Sequence, residues 1–210
     1  MRYVIAILIA FLARAAAAQP EAVLTFEEDR EGVAPAGFVF SGTAPMRPDR
    51  WLVRRERENN VLAHLGDPQR SKGIAFAVLP GPGPANLTAA ARFKLVAGDG
   101  PAGFVWRCQD ARNYYMVRLD LAEQEIGLYR VVSGNRIRIG REEDLELRQS
   151  DWHALKVAHT GETIRVFLDG VKVFEVHDRT FRDAGAVGLW SAADAVMYFD
   201  DLSVDGGDRR

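Results

Sequence analysis

TIRVFLDGVKVFEVHD, Thr163 to Asp178, reads as two β-forming runs joined by Asp169-Gly170. Branched and aromatic side chains suit a pleated surface. Asp-Gly tolerates positive φ at both central positions of a two-residue hairpin turn. Runs of the same kind recur at residues 22–26, 51–56, 60–65, 74–79, 87–96, 103–108, 113–121, 125–132, 136–140, 153–159, 186–191 and 196–204. Turn chemistry separates them, as in Gly98-Asp99-Gly100-Pro101, Asp110-Ala111-Arg112-Asn113 and Ser133-Gly134-Asn135. Helical periodicity is nearly absent. So many short strands without intervening helices predict an all-β chain folded as an antiparallel sandwich or barrel.

The first residues read as an export signal. Arg2 gives a short positive start, and Tyr3 to Ala13 is an apolar run shorter than the roughly 20 residues a membrane span needs. Ala16-Ala17-Ala18 before Gln19 supplies the small-residue cleavage pattern. The expectation is therefore a leader at 1–18 and a single domain at 19–210, periplasmic or extracellular, with no transmembrane segment after cleavage. Lys and Arg total 27 against 29 Asp and Glu. Losing Arg2 and Arg14 takes the net charge from −2 to −4, which argues against nucleic acid as a partner. The lone Cys108 has no partner for an internal disulfide and reads as a small apolar residue.

The alternation between 103 and 132 carries the site expectation. Trp106 with Phe104, and Tyr115 with Val117 and Leu119, mark one apolar face of their strands. The other face mixes apolar residues with charge and holds Arg107, Tyr114, Arg118, Asp120 and Arg130. A solvated face would be more polar, and a buried one would not carry three arginines. A concave sheet surface, half covered by loops, fits that mixture. Arg107, Arg118 and Arg130 are expected to line one groove on neighbouring strands.

The string from Gly103 to Arg136 and that from Asp151 to Val204 resemble the concanavalin A-like (laminin G-like) jelly rolls of exported bacterial proteins. The resemblance rests on the strand entry at Trp152, the FLDGVKVFE hairpin, the DRTF turn, AGAVGLWS and the closing YFDDLSV. It is narrower toward domains of the 3-keto-disaccharide hydrolase type, a group long described as of unknown function. What it implies is a two-sheet antiparallel β-sandwich whose concave face meets carbohydrate. Sandwiches of this kind also close on an Asp-Asp strand beside an acidic first strand. That implies a structural calcium site drawn from Glu27, Glu28, Asp29, Asp200 and Asp201, with Glu27, Glu28 and Asp201 as the preferred ligands.

No catalytic set emerges. Glu27-Glu28-Asp29-Arg30-Glu31 alternates carboxylates, but Glu28 and Arg30 would then point into the core at high cost. The four histidines share no ligand-like spacing, and Asp120 beside Arg118 reads as an ion pair. The expected function is a non-catalytic, lectin-like module binding a saccharide, anionic by its arginines, at Arg107, Tyr114, Arg118, Asp120 and Arg130, near Trp106 or Trp190. Two other readings are a glycoside hydrolase or lyase and a structural envelope module. Mass spectrometry of protein recovered from periplasm or medium is expected to give an N-terminus at Gln19; a chain retaining Met1 to Ala18 contradicts the export reading.

Overall fold

The computed structural model describes residues 23–43, 50–67, 69 and 73–206; the expected leader lies outside them. Fifteen strands are present among these residues. They are β1 (Val23–Leu24), β2 (Val39–Gly42), β3 (Trp51–Glu56), β4 (Asn59–Leu65), β5 (Ile74–Val78), β6 (Leu87–Ala97), β7 (Ala102–Asp110) and β8 (Asn113–Asp120). The remainder are β9 (Glu125–Val132), β10 (Asn135–Glu142), β11 (His153–Thr160), β12 (Thr163–Leu168), β13 (Val171–His177), β14 (Ala186–Ala192) and β15 (Val196–Gly206). All fourteen runs named from the sequence contain a strand. β2 was not foreseen: it has only four residues and ends on Gly42. Among the described residues no helix is long and apolar enough to cross a membrane.

The strands form two antiparallel sheets packed face to face. One runs β13-β12-β11-β6-β15-β4-β3, with β1 pairing the far half of β15. The other runs β10-β9-β8-β7-β14-β5-β2. The Asp169-Gly170 turn has φ of 49° and 82°, the two positive values that the sequence predicts for the β12–β13 hairpin.

Inward-facing residues of both sheets make the core. Phe93 on β6 meets Phe104 on β7 edge-on at 5.3 Å between centroids, and Phe199 on β15 at 5.2 Å. Trp51 on β3 packs against Phe199 at 5.4 Å and against Phe40 on β2 at 6.0 Å. Two polar ties also cross the core. Trp106 Nε1 on β7 donates to His159 Nδ1 on β11 at 2.9 Å. His64 Nδ1 on β4 lies 3.1 Å from Ser191 Oγ on β14 and 3.1 Å from the Ala195 carbonyl, which can only accept. His64 Nδ1 therefore carries a proton, whereas His159 Nδ1 carries none.

Burial lowers the pKa of both rings from 6.5 to about 4; for His159 the nearby Arg107 charge acts in the same direction. Both are thus neutral when folded and titrate near 6.5 when unfolded. Between those values the unfolded chain binds more protons, so stability is complete above about pH 6.5 and is lost as pH falls toward 4. Thermal melts from pH 7 down to pH 4 are expected to show a steady fall in Tm across that window; a flat profile contradicts it.

Candidate functional site

The outer face of the seven-stranded sheet is apolar in its middle. Phe76, Val105, Tyr114, Met116, Tyr129, Val131 and Trp190 are all buried there and pack on one another. They are buried although they face away from the sandwich interior, because the large rings lie along the sheet. Trp190 covers Gly103, where a Cβ would stand 3.1 Å from the indole nitrogen, and its N–H reaches the Val117 carbonyl at 2.9 Å. The Tyr129 ring covers Gly127, where a Cβ would stand 2.7 Å from ring carbon Cε2.

At one end of this face a hollow of about 450 Å³ opens between β2, β5 and the β7–β10 side. Tyr114, Met116, Val131 and Ile74 form its apolar floor, and Thr43, Arg112 and Arg136 stand at its sides. Arg112 is held by donating to the Ser133 carbonyl at 2.6 Å. The Arg136 guanidinium rests over the Tyr129 ring, 5.1 Å from its centroid. Arg136 has no acidic partner among the described residues, Arg112 has only its neighbour Asp110, whose carboxylate accepts the Arg112 backbone N–H at 2.7 Å and feels its charge, and no carboxylate lines the hollow. The Tyr114 hydroxyl makes no hydrogen bond within the described residues, and burial raises its pKa.

The other end of the face is closed by ion pairs. Arg118 pairs with Asp120 and reaches Glu125 Oε1 at 3.5 Å, while Arg141 on β10 holds Glu125 Oε2 at 2.6 Å. Asp120 also accepts the Ala122 and Glu123 backbone N–H groups, at 3.1 and 2.9 Å, which fixes the β8–β9 turn. Asp120 and Glu125 are cross-strand partners, but guanidinium and backbone donors engage both.

The expected set therefore splits. Tyr114 lies in the hollow; Arg118 and Asp120 share its face at the closed end. Arg107 and Arg130 are elsewhere, so the single groove of three arginines is not formed. A β-bulge after Trp106 puts Arg107 at φ 45° and breaks the alternation. Its buried guanidinium donates to the carbonyls of Ala85, Phe181 and Gly161, at 2.8, 2.6 and 3.2 Å, and ties three loops together. Arg130 pairs with Tyr115, not with Met116, and so lies on the inward face. There it reaches Asp178 Oδ2 at 2.6 Å and Thr180 Oγ1 at 3.0 Å. Tyr115 donates to the other oxygen of Asp178, which closes a buried network at the end of the core. Trp106 is fully buried in that core and Trp190 nearly so, leaving neither ring free to stack on a ligand. Arg112 and Arg136 were missed, although the Arg136/Arg138 alternation with Ile137 and Ile139 in β10 carried the signal for Arg136.

The acidic residues of the calcium expectation are not gathered into one site. Among the described residues no three acidic, histidine or cysteine side chains converge as a metal site. Asp200 accepts from Asn59 Nδ2 at 2.7 Å and from Arg92 Nη2 at 2.8 Å, while Asp201 Oδ2 lies 2.7 Å from Arg92 Nε. Arg92 thus supplies the positive charge that a cation would have supplied. Glu27 turns to the backbone N–H of Asn60 instead, at 3.1 Å, and Glu28 is exposed. Cys108 behaves as an inert residue: burial and neighbouring Asp110 push its thiol up to about 11.

No family model and no curated protein matches the chain. Solved structures do. A carbohydrate-binding module, CBM66, from Bacillus subtilis aligns over 80% of this chain and 95% of its own at 19% identity, with a TM-score of 0.62. A Bacillus subtilis protein of unknown function with a galectin-like fold gives 0.62 over 82% and 90% at 12% identity. A Bacteroides ovatus mixed-linkage glucan GH16 protein, in complex with a product, gives 0.63 over 88% and 99% at 10% identity. The fold is that of the concanavalin A-like jelly rolls.

Two arginines with opposite duties give a direct check. Arg107→Met strands three buried carbonyls and is expected to cost about 3 kcal/mol in chemical denaturation. Arg136→Ala removes only a cation–π contact and is expected to cost about 1 kcal/mol or less. Equal costs for the two contradict this assignment.

Proposed function

We propose that this protein is an exported saccharide-binding module that takes an acidic sugar in the hollow lined by Arg112, Tyr114 and Arg136. The observation that carries the reading is the charge of that hollow: two arginines in its walls, Arg136 without an acidic partner among the described residues and Arg112 facing only Asp110 outside the lining, above an apolar floor, with no carboxylate in its walls. A uronate ring has the matching chemistry. Its carboxylate accepts from a guanidinium fork, its C–H face lies on Met116 and Val131, and a ring hydroxyl can meet the unpartnered Tyr114 O–H. Fold neighbours that include a carbohydrate-binding module and a glucan-bound GH16 protein support a sugar ligand. The expected leader supports export to the periplasm or medium.

Binding, not cleavage, is the role proposed. Glycoside hydrolysis uses two carboxyl groups about 5–9.5 Å apart, flanking the bond. The hollow offers none, and Asp120 and Glu125 are engaged by Arg118, Arg141 and the β8–β9 turn. Arg118 and Asp120 are accordingly read as support for the face, with Tyr114 retained from the expected set as a ligand contact.

Calorimetric titration with galacturonate and mannuronate oligosaccharides tests the reading. Binding is expected, weakening as salt rises, and Arg136→Ala is expected to reduce affinity about tenfold or more, a loss of about 1.4 kcal/mol. No binding by either acidic series, or full binding by Arg136→Ala, overturns it.

A further inference from the structure

The opposite face of the sandwich carries a second hollow, of about 590 Å³. It lies on the outer side of the eight-stranded sheet, between the turn joining β3 to β4, Arg92 and Lys94 on β6, and Trp152 just before β11. A smaller hollow of about 240 Å³ adjoins it across Arg92, floored by Ala90, Ala154 and Gly170.

The larger hollow is built around Trp152. The indole N–H donates to Glu56 Oε2 at 3.2 Å, and Lys94 Nζ holds the other oxygen of that carboxylate at 2.5 Å. The Arg92 guanidinium stands over the ring, 5.0 Å from the centroid, and is itself held by Asp200 and Asp201. The ring is therefore anchored at its nitrogen and covered on one face. Trp51 and Trp106 are fully buried and Trp190 is 2% exposed, so Trp152, half-buried, is the tryptophan that solvent reaches.

The polar groups around it keep hydrogen-bonding capacity. An ammonium has three N–H donors and Lys94 uses one on Glu56; Asn59 gives one amide hydrogen to Asp200 and retains its other hydrogen and its carbonyl oxygen. Charge in the walls cancels: Glu56, Glu58 and Asp151 oppose Arg57, Arg92 and Lys94. An ion of either sign would meet its own charge there as readily as the opposite one. A neutral ligand with hydroxyls that both donate and accept, and with an apolar C–H face for an indole, meets every group.

We infer that this hollow binds a neutral saccharide, independently of the arginine-lined hollow on the other sheet. The protein then holds two carbohydrate classes on opposite faces, the neutral one at Trp152, Lys94, Asn59 and Glu56.

Trp152 supplies its own reporter. The full chain is titrated with the hexasaccharides of cellulose, laminarin, xylan, mannan and starch, reading tryptophan emission, acrylamide quenching and calorimetry. At least one probe is expected to bind, change the emission and protect the exposed tryptophan from quenching. Trp152→Ala is expected to weaken that probe tenfold or more, whereas Arg136→Ala leaves its affinity unchanged. If Trp152→Ala does not fold by thermal melt, Lys94→Met carries the same expectation of a tenfold loss. The inference is overturned if none of the neutral probes binds, if binding persists in the Trp152 or Lys94 variant, or if it is lost in Arg136→Ala. Protection of Trp152 by self-association, read by light scattering without sugar, overturns it as well. Arg136→Ala separates the two faces, so failure at one leaves the other standing.

Discussion

A buried donor without an acceptor costs about 1–3 kcal/mol, and of the two indoles fully enclosed between the sheets Trp51 leaves its N–H unpaired among the described residues while Trp106 finds an acceptor. That acceptor is His159, across the core. That one bond fixes the tautomer of the histidine, which burial and the nearby Arg107 charge keep neutral. It also sets where β7 stands relative to β11. Immediately after Trp106 the chain bulges, and Arg107 leaves the pleat to bind three carbonyls from three loops. Tyr115, stacked on Trp106 at 5.7 Å, carries the order onward to Asp178, Thr180 and Arg130. The loops that close this end of the sandwich are thus organised from the inside. Charged residues that seemed available for a ligand are used to hold them.

Strand positions were largely legible in the sequence, because the turn residues were. Asp169-Gly170, Gly134 and Gly161 all adopt the positive φ that their types tolerate, and Ser133 follows its glycine neighbour into it. β2 was missed because four residues beside a glycine leave little alternation to read. Which face a residue occupies was less legible. Alternation holds only while a strand stays regular, and the bulge at Arg107 reverses it without any glycine or proline to mark the place. Arg130 was misplaced for another reason: alternation within β9 does not say which of its faces pairs with the Tyr115 side of β8. The register pairs Met116 with Tyr129 and Tyr115 with Arg130 instead. The acidic pair on β15 raised a metal expectation because the residue that neutralises it, Arg92, is more than a hundred positions away in the chain. Nothing local announces that partnership.

The two outer faces solve the same problem differently. On the seven-stranded sheet, aromatic rings lie down over glycines and exclude water, so charge is left at the ends: paired at Arg118, Asp120 and Glu125, and in excess of positive sign at Arg112 and Arg136. On the eight-stranded sheet the floor is alanine, and the charges pair within the face itself, Arg92 with Asp200 and Lys94 with Glu56. A ligand approaching the first face meets a field of one sign; on the second it meets close-set donors and acceptors of no net sign. The difference follows from side-chain size at a few central positions.

Sheets end in strands with unsatisfied backbone groups, and here side chains or loops join the two sheets at both lateral margins. β10 and β13 meet where Gly140 leaves room for Phe174 and Val176, with a Cβ there only 3.0 Å from the Phe174 ring. On the far side Phe40 stacks on Trp51, and the segment at Gly32 and Val33 pairs with Val53 along the outer edge of β3. Free margins are where β proteins recruit copies of themselves into aggregates. A side chain at Gly140, remote from either hollow, would have to displace Phe174 and Val176, so the seam between the two sheets at this margin hangs on one small residue.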